Sequence, residues 1–401
     1  MFTHFRLVAY IATMIINNTQ LDALMADIRS FVRDQWHPME DEVERLGEVP
    51  ESMVQQLRRK GYFGWSIPEA YGGLGLTTEE LVLCALELSQ ASVALRARVG
   101  TNTGIGSEAL VADGTDEQKQ RWLPRMATGE LTGCLALTEP EAGSEATNIQ
   151  TTARKEGDVY ILTGMKRFIT NAPLADVFTV LARTEDGTRG STGLTAFIVE
   201  RGTSGLRTGT PYRKMGQAGS PVSDVYFEDC RVPAANVIGG REGVGFQTVM
   251  KVLNKQRLHL AALCTGPAIR MLDLAIDHTQ QREQFGQAVG NFQLMQAMVA
   301  DSQTEIFAAR SMIVETARAR DRGEDVSLTA SMCKYFASEM CGRVADRCVQ
   351  MFGGSGYIAD FSPIERYYRD VRLFRLYEGT SQIHQLNIAK LVLRERGKAT
   401  V

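Results

Sequence analysis

The spacing of apolar residues changes twice along this chain of 401 residues, and this change limits the possible folds more than any other feature. From Leu21 to about residue 130, apolar residues recur three and four positions apart, which predicts amphipathic helices. From Thr132, short β-rich runs alternate with turns that contain Gly, Pro, Asn or Asp, which predicts an antiparallel β-domain ending near Pro233. Long helical patterns return from about Gly243. The sequence therefore predicts an α+β fold that is mainly α.

These changes divide the chain into four predicted segments. They are a poorly ordered extension over residues 1–20, an N-terminal α-helical domain over 21–131, a β-domain over 132–235 and a C-terminal four-helix bundle over 236–401. Four long amphipathic patterns in the last segment are typical of an up-and-down bundle. The extension holds a short apolar run at residues 7–16, which is too short to span a bilayer and lacks the cleavage pattern of a secretory signal.

The overall composition, 44% apolar and 23% charged residues, is that of a soluble globular protein. A net charge of −3 gives no reason to expect binding to nucleic acid or to an anionic membrane. The seven cysteines include no C-x-x-C pair and the five histidines no pair at metal-ligand spacing, so we expect free thiols and no metal. Free thiols favour a reducing compartment, so we expect a cytoplasmic protein, with the mitochondrial matrix as the alternative.

One carboxylate near the C-terminus is a candidate general base. Glu378 follows an apolar strip and precedes Gly379, which allows a tight turn, and Thr380 or Ser381 can then cap a helix. Burial at this place would raise the carboxyl pKa toward working pH, and the Glu378 N–H could bind a substrate oxygen. Taken alone, the pattern fits an acidic residue in a surface turn better.

Neither a dinucleotide-binding glycine fingerprint nor a phosphate-binding loop motif occurs in the sequence, so a nucleotide cofactor must bind by another arrangement. Six stretches, taken in order, resemble the acyl-CoA dehydrogenase family instead. They are residues 67–73 (IPEAYGG), 137–144 (LTEPEAGS), 167–171 (RFITN), 282–286 (REQFG), 350–357 (QMFGGSGY) and 377–380 (YEGT). The resemblance covers the chain from about Leu21. It implies FAD, an acyl-CoA substrate, α,β-dehydrogenation to the trans-2-enoyl-CoA, an electron-transferring flavoprotein as acceptor, and a homotetramer built as a dimer of dimers.

The resemblance also implies a set of FAD-binding residues. They are Leu137, Thr138, Gly143, Ser144, Phe168, Thr170, Arg282, Phe285, Gln293, Gln350, Gly353, Gly354, Thr380 and Gln382. In this set, residues 137–144 would offer backbone N–H groups to the flavin and the ligand. Phe168 would pack on the isoalloxazine, and Thr170 would donate a hydrogen bond near its N5 atom.

The later members of this set are expected to bind the other end of FAD. The group around Arg282 would hold the pyrophosphate and adenine, and the glycines of residues 350–354 would let the backbone approach a phosphate. By resemblance, both groups reach the FAD of a neighbouring subunit. Thr380 would lie at a helix N-terminus, which favours an anion.

For the substrate, the resemblance makes Glu378 the base that removes the α-proton while the β-hydride leaves to the flavin. Gln256 occupies the family's second base position, just before Arg257, and a Gln side chain cannot accept the proton. The implied substrate-binding residues are Ser144, Asn254, Arg257, Tyr377, Gly379 and Arg96. Arg96 or Arg98 could pair with the terminal carboxylate of a dicarboxylyl group, so short or dicarboxylyl acyl groups are a possible preference. The alternative is an ordinary solvated arginine on a helix.

Two other functions remain open at this point. One is an acyl-CoA oxidase or flavin monooxygenase on the same fold, although a monooxygenase needs no base such as Glu378. The other is a non-catalytic scaffold protein that kept the fold. The residues at Glu378, Thr170 and Arg282 argue against a scaffold, because a silent protein has no need of them.

Overall fold

The structure is a computed structural model that describes residues 18–185, 187 and 190–398. The expectation of a poorly ordered extension falls mostly on residues 1–17, which lie outside this described part. Residues 18–20 already belong to the first helix. The order of a helical domain, a β-domain and a second helical domain is as predicted.

The N-terminal domain is built from α-helices joined by short 3-10 and π turns. They are α1 (Asn18–Phe31), α2 (Glu40–Leu46), α3 (Glu51–Arg59), α4 (Thr78–Leu88), α5 (Val93–Gly100), α6 (Glu108–Asp113) and α7 (Asp116–Ala127). Helix α4 starts with a capping box, in which the Thr77 hydroxyl accepts the Glu80 N–H and the Glu80 carboxylate accepts the Thr77 N–H.

The middle domain is one sheet in the described part of the chain. Its strands are β1 (Gly133–Ala136), β2 (Thr152–Glu156), β3 (Val159–Thr170), β4 (Val177–Arg183), β5 (Leu194–Glu200), β6 (Leu206–Thr208) and β7 (Val222–Pro233). The strand order is β1-β4-β2-β3-β7-β6, with β5 also paired to β4.

The β-domain is confirmed, but the sheet is mixed where a purely antiparallel one was expected. Strands β1 and β2 both pair with β4 in parallel, while the other four pairs are antiparallel. A parallel pair needs a long crossover connection, and the segment from residue 137 to 176 supplies it between β1 and β4. Patterns read within one strand carry no information on such a crossover.

The C-terminal domain contains the four long helices that the sequence predicts. Its elements are α8 (Gly245–Gln281), β8 (Glu283–Gln284), β9 (Gln287–Ala288), α9 (Gln293–Asp321), α10 (Ser327–Phe352), α11 (Gly354–Tyr357), α12 (Ile364–Val371) and α13 (Ser381–Lys398). Helix α8 packs along α10, and α9 contacts both. The short helices α11 and α12 were not predicted.

Helix α8 is central to the fold. It is the one described helix that is long and apolar enough to cross a membrane, but 72% of its most apolar stretch is buried inside the protein, as in a core helix. Helix α4 of the first domain also packs on α8 and α9, and Asp321 at the end of α9 accepts the N–H groups of Thr78 and Glu79 at 2.9 and 2.8 Å. All seven cysteines are buried and none forms a disulfide.

Candidate active site

A cavity of about 470 Å³ lies between helix α5, the β-domain and the C-terminal bundle. Eleven residues that the resemblance implied line it, and they come from all three domains. They are Arg96, Leu137, Thr138, Gly143, Ser144, Phe168, Thr170, Arg257, Tyr377, Glu378 and Gly379. The fold thus brings helix α5, the β-domain and residues near the C-terminus together at one site.

Glu378 stands in the wall of this cavity in an unusual backbone conformation. Its φ is +52°, in the left-handed region that costs a non-glycine residue about 1–2 kcal/mol. The Glu378 Oε2 atom is buried and has no hydrogen-bond partner among the described residues. Burial raises the pKa of the Glu378 carboxyl, while the charges of Arg96, Lys334 and Arg257 act to lower it. A solvated acid in a surface turn, the alternative from the sequence, does not fit this geometry.

The turn after Glu378 leads directly into helix α13. Gly379 has a φ of +91°, which a glycine adopts without strain. Of the two capping candidates, Thr380 caps the helix, since its hydroxyl accepts the Ile383 N–H at 3.2 Å. Ser381 instead donates to the Glu339 carboxylate at 2.5 Å.

A buried ion pair holds the loop over residues 137–144 against the sheet. The Lys166 ammonium donates to Glu139 Oε1 and to the Leu181 carbonyl, both at 2.6 Å. Glu139 also accepts the Gln150 N–H at 2.6 Å. Burial lowers the pKa of Lys166 to about 8, which leaves it mostly protonated at neutral pH. The pair therefore fixes the loop on the side of the cavity where Leu137 and Thr138 lie.

Phe168 is turned out of strand β3 into the cavity. The pairing of β3 with β7 shifts register between Lys166 and Ile169, and Phe168 takes a φ of +59° at this irregularity. Its side chain is 61% exposed, and its ring contacts the Tyr212 ring at a centroid distance of 5.6 Å. A large flat apolar ring left uncovered beside a cavity is a natural platform for a planar ligand.

Three hydroxyls near Phe168 are free to bind a ligand. The side chains of Thr138, Ser144 and Thr170 line the cavity, and none makes a hydrogen bond to another side chain or backbone group in the described part of the chain. A hydroxyl can both donate and accept, so the three suit a ligand edge that carries nitrogen and oxygen atoms.

Arg96 and Tyr377 form a polar pair in the cavity lining. Arg96 Nη2 donates to the Tyr377 hydroxyl at 2.5 Å, and the guanidinium lies 5.4 Å from the centre of that ring. Arg96 is half-buried and has no salt bridge within the described residues, unlike a solvated helix arginine. Arg98 does not line the cavity. It is 7% exposed and donates to the Thr132 hydroxyl at 3.2 Å.

Helix α8 presents a mixed face to the cavity. Arg257 lines it, and its Nη1 donates to Asn254 Oδ1 at 2.9 Å, while Asn254 itself does not reach the cavity. Gln256 and His259 line it as a hydrogen-bonded pair, with Gln256 Oε1 and His259 Nδ1 3.2 Å apart. Burial lowers the pKa of His259 to about 3, so its ring is neutral at physiological pH. This face of α8 therefore offers polar groups to the cavity but no carboxylate that could act as a base.

The remaining implied residues do not line the cavity. They are Asn254, Arg282, Phe285, Gln293, Gln350, Gly353, Gly354, Thr380 and Gln382. The residues between 282 and 354 lie close to the C-terminal ends of α8 and α10. The rings of His278 and Phe352 stack with their centroids 4.2 Å apart and connect these two helix ends. Phe285 is 94% exposed there.

Some cavity residues were not identified from the sequence. On α8, the cavity-lining residues Phe246, Met250, Leu253, Arg257 and Leu260 recur at intervals of four and three, so helical periodicity was a usable signal for this face. Two residues behind the wall, Lys334 and His384, had no such signal, because buried polar residues inside amphipathic helices look like ordinary core positions.

This geometry defines a class of protein before any comparison is made. A cavity that encloses an unpartnered, buried carboxylate beside an uncovered aromatic ring suits an enzyme that removes a proton from a bound organic ligand next to a planar group.

Comparison with known proteins gives the family. The acyl-CoA dehydrogenase N-terminal, middle and C-terminal domain families match residues 18–130, 134–230 and 243–393. The 3-(aryl)acrylate reductase of Clostridium sporogenes is 40% identical, over 91% of this chain and 96% of its own. The caffeyl-CoA reductase-Etf complex subunit CarC of Acetobacterium woodii is 38% identical, over 88% and 93%. The solved butyryl-CoA dehydrogenase of Megasphaera elsdenii has a TM-score of 0.89 and 32% identity, covering 93% of this chain and 98% of that one. The chain belongs to the acyl-CoA dehydrogenase family, a family of flavoprotein oxidoreductases that act on CH–CH bonds of acyl-CoA thioesters.

Proposed function

We propose that this chain is an FAD-dependent acyl-CoA dehydrogenase that converts an acyl-CoA to the trans-2-enoyl-CoA. The observation that carries the proposal is Glu378 Oε2, which is buried and unpartnered in a cavity that Phe168 and Thr170 also line. The α-proton of a thioester is weakly acidic, so its removal needs a carboxylate with raised basicity in a site that excludes water. The raised pKa of Glu378 and the burial of its Oε2 atom support this role.

The surroundings of Glu378 suit both states of a proton acceptor. Before the reaction, the positive charges of Arg96, Lys334 and Arg257 favour the ionised carboxylate. After Oε2 has accepted the α-proton, the neutral carboxylic acid is the form that burial favours. The site therefore stabilises reactant and product protonation states by different groups.

The residues around the cavity fit a flavin. The exposed Phe168 ring offers an apolar platform, and the unpaired hydroxyls of Thr138, Ser144 and Thr170 face a space where the polar edge of a flavin ring could bind. When bound, FAD supplies the two-electron acceptor for the β-hydride. Arg282, exposed at the far end of the bundle, is proposed to bind the pyrophosphate of an FAD held by a neighbouring copy.

An anaerobic screen of acyl-CoA thioesters tests this function. The FAD-loaded protein is mixed with straight-chain, branched, dicarboxylyl and aryl-propionyl thioesters, and the loss of flavin absorbance is recorded. At least one class is expected to bleach the flavin within seconds. A protein that binds FAD but is bleached by none of them would be a scaffold or would have another substrate type, and the proposal would fail.

Reduction of a 2-enoyl-CoA is the second candidate, and the relatives favour it. Two of the similar proteins are named as reductases of aryl-acrylate and caffeyl-CoA substrates. The same base and cofactor can serve either direction, since Glu378 in its protonated state returns a proton to the α-carbon. Re-oxidation of chemically reduced enzyme by 2-enoyl-CoA and aryl-acryloyl-CoA thioesters, compared with the bleaching rates above, shows which direction is faster.

We propose an electron-transferring flavoprotein as the redox partner, because the Acetobacterium woodii relative is named as part of a complex with Etf. An oxidase on the same fold would instead pass electrons to oxygen. Oxygen uptake during turnover separates the two: a dehydrogenase consumes little oxygen until a dye or the partner flavoprotein is supplied, whereas an oxidase turns over in air alone.

For the acyl end group, we propose a short dicarboxylyl or otherwise polar chain. Arg96 is half-buried in the cavity lining with a single neutral hydrogen-bond partner, Tyr377, so it retains donors for an anionic group. Gln256 and His259 add neutral polar atoms on the facing wall. A long aliphatic chain would have to leave these groups without partners, at a cost in binding free energy.

We also propose that the chain forms a homotetramer. Helices α9 and α13 and the β8–β9 hairpin expose large apolar side chains, namely Phe285, Leu294, Phe307, Leu386 and Leu393, which are between 66% and 94% exposed. Apolar exposure of this kind marks contact surfaces for another protein chain. Native mass spectrometry of the FAD-loaded protein is expected to give a species of four chains, and a monomer at micromolar concentration would contradict the proposal.

A further inference from the structure

We propose that Lys334 and His384 are positioning residues that hold Glu378 in its working conformation, through hydrogen bonds to the carbonyls of Glu378 and Gly379. Neither residue touches the cavity. The inference rests on the proposed role of Glu378 as the base, and it adds two residues to the site that line no part of it.

The geometry places one donor on each of two consecutive carbonyl groups. Lys334 Nζ, from helix α10, donates to the Gly379 carbonyl at 2.6 Å. His384 Nε2, from helix α13, lies 3.2 Å from the Glu378 carbonyl. Both side chains are fully buried. Because a carbonyl can only accept, His384 must carry its proton on Nε2.

The protonation state of His384 agrees with this arrangement. Burial, together with the charges of Lys334 and Arg257, lowers the pKa of His384 to about 4, so the ring is neutral at physiological pH. Its Nδ1 atom has no partner among the described residues. A buried imidazole that leaves one nitrogen unpaired is costly, and the bond to the Glu378 carbonyl is the one hydrogen bond that its ring makes in the described part of the chain.

The backbone at Glu378 and Gly379 needs hydrogen bonds that stabilise its conformation. Glu378 and Gly379 are consecutive residues with positive φ values of +52° and +91°, and only the glycine adopts this conformation freely. A Cβ atom at position 379 would lie 3.0 Å from His384 Nε2, so the glycine also makes room for the imidazole. With both carbonyls turned toward the bundle interior, the Glu378 side chain is left on the cavity side.

Lys334 has a second effect that His384 lacks. No carboxylate forms a salt bridge with Lys334 in the described residues, and its charge acts on the Glu378 carboxyl directly. The charged and titratable groups around Glu378 are Arg96 on α5, Arg257 and Cys264 on α8, Lys334 on α10, Tyr377 before it and His384 on α13. Loss of Lys334 removes one of three positive charges from this set, whereas loss of a neutral His384 removes none.

This difference gives two distinguishable variants. In Lys334→Met, both the carbonyl bond and a charge are lost. We expect the maximal flavin-reduction rate to fall about 10- to 100-fold, and its acid limb to move to higher pH, since Glu378 is then harder to ionise. In His384→Leu, we expect a similar loss of rate with the acid limb unmoved. Dissociation constants for acyl-CoA and FAD should stay within about threefold of wild type, because the residues touch neither ligand.

Two further variants distinguish a specific positioning role from a general loss of order in this turn. His384→Gln keeps an N–H donor and should recover most of the rate lost in His384→Leu. Ser381→Ala removes the bond to Glu339 in the same turn without affecting either held carbonyl, and it should keep the wild-type rate and pH profile. Exchange of the substrate α-proton in D2O, followed by mass spectrometry, should fall in parallel with flavin reduction, because proton removal is the step affected.

One measurement distinguishes a failure of this inference from a failure of the proposed function. In the protein without substrate, amide hydrogen exchange of a peptide spanning residues 376–384 should be faster in Lys334→Met and His384→Leu than in wild type or Ser381→Ala. If wild type reduces its flavin but both variants keep its rates, pH profile and exchange, the inference is overturned. If no thioester reduces the wild-type flavin, the proposed function fails, and an unchanged exchange rate in the variants would then remove the positioning role as well.

Discussion

The cavity beside Glu378 and the far end of the bundle around Arg282 differ in how complete they are within one chain. At the cavity, side chains from three domains converge, and the key carboxylate is buried beside free hydroxyls and an uncovered ring. At the far end, Arg282 and Phe285 stand on an exposed hairpin, with Phe285 94% exposed and no enclosing wall in the described residues.

This contrast predicts that proton removal and cofactor retention can be separated in this molecule. A single chain brings together the proposed base, three nearby positive charges and an exposed aromatic ring. The far end presents apolar and cationic side chains outward, as a surface that another copy would cover. Variants at the two places should therefore fail in different ways.

The strongest test is at the cavity. Glu378→Gln removes the base but keeps size and polarity, so we expect flavin reduction by the best thioester to fall about 10³-fold or more, with FAD content unchanged. Stopped-flow absorbance under anaerobic conditions measures the rate, and the spectral change on ligand addition shows that binding persists. Reduction at the wild-type rate in this variant would rule out Glu378 as the base.

The second test is at the far end. Arg282→Ala should weaken FAD binding by about 10- to 100-fold, the value of one charge-assisted contact to phosphate, while the loaded fraction keeps its turnover. Arg59→Ala, an exposed arginine on α3, is the matched control and should bind FAD normally. Equilibrium dialysis or flavin fluorescence gives the dissociation constant.

The outcome of this second test also bears on assembly. If Arg282 binds the cofactor of a neighbouring copy, FAD affinity of the wild type should fall with dilution as the oligomer dissociates. A dissociation constant that is independent of protein concentration, and equal in Arg282→Ala and wild type, would show that Arg282 does not bind FAD.

A third test asks what the cavity recognises. Arg96→Met should remove a preference for dicarboxylyl over monocarboxylyl thioesters of equal length, reducing the ratio of their kcat/KM values by about tenfold or more. Since Arg96 also favours the ionised form of Glu378, both substrates are compared at a pH on the plateau of each profile. The monocarboxylyl substrate is the internal control. An unchanged ratio would mean that Arg96 acts on Tyr377 and Glu378 but does not select the substrate.

The sequence predicted those parts of the fold and site that depend on local patterns. Helical spacing predicted the four long helices of the C-terminal domain and the helical character of the N-terminal domain. The resemblance named eleven of the cavity-lining residues, including Phe168 and Glu378.

What the sequence did not predict depends on contacts between distant segments. The parallel pairing of β1 with β4 follows from a crossover of the chain, and the choice between Arg96 and Arg98 follows from how α5 is turned against Tyr377. Lys334 looked like any polar residue of a long helix. Its carbonyl partner lies 45 positions away, a distance over which no periodic signal operates.

The smallest predicted effect concerns stability, and its sign follows from the shift at Glu378. The folded state raises the pKa of this carboxyl, so its ionised form is less favourable in the folded than in the unfolded chain. The penalty is absent below the unfolded carboxyl pKa of about 4.3, grows as pH rises through the interval up to the raised folded pKa, and stays constant above it. Glu378→Gln removes the charge, so its unfolding temperature should exceed that of wild type at pH 8, and the difference should shrink toward pH 4.

Glu139→Gln is the matched control, and its expected effect on the unfolding temperature has the opposite sign. Burial acts to raise the pKa of Glu139, but the charge and hydrogen bond of Lys166 and backbone donors outweigh it and lower the pKa overall. Its ionised form therefore stabilises the fold above the ordinary carboxyl pKa, and that contribution is lost as pH falls through the lowered folded pKa. At pH 8, scanning calorimetry in saturating FAD should show Glu378→Gln melting above and Glu139→Gln below wild type. A melting temperature of Glu378→Gln at or below that of wild type at pH 8 would mean that burial does not disfavour the ionised Glu378 carboxylate, and that the site is solvated rather than suited to proton removal.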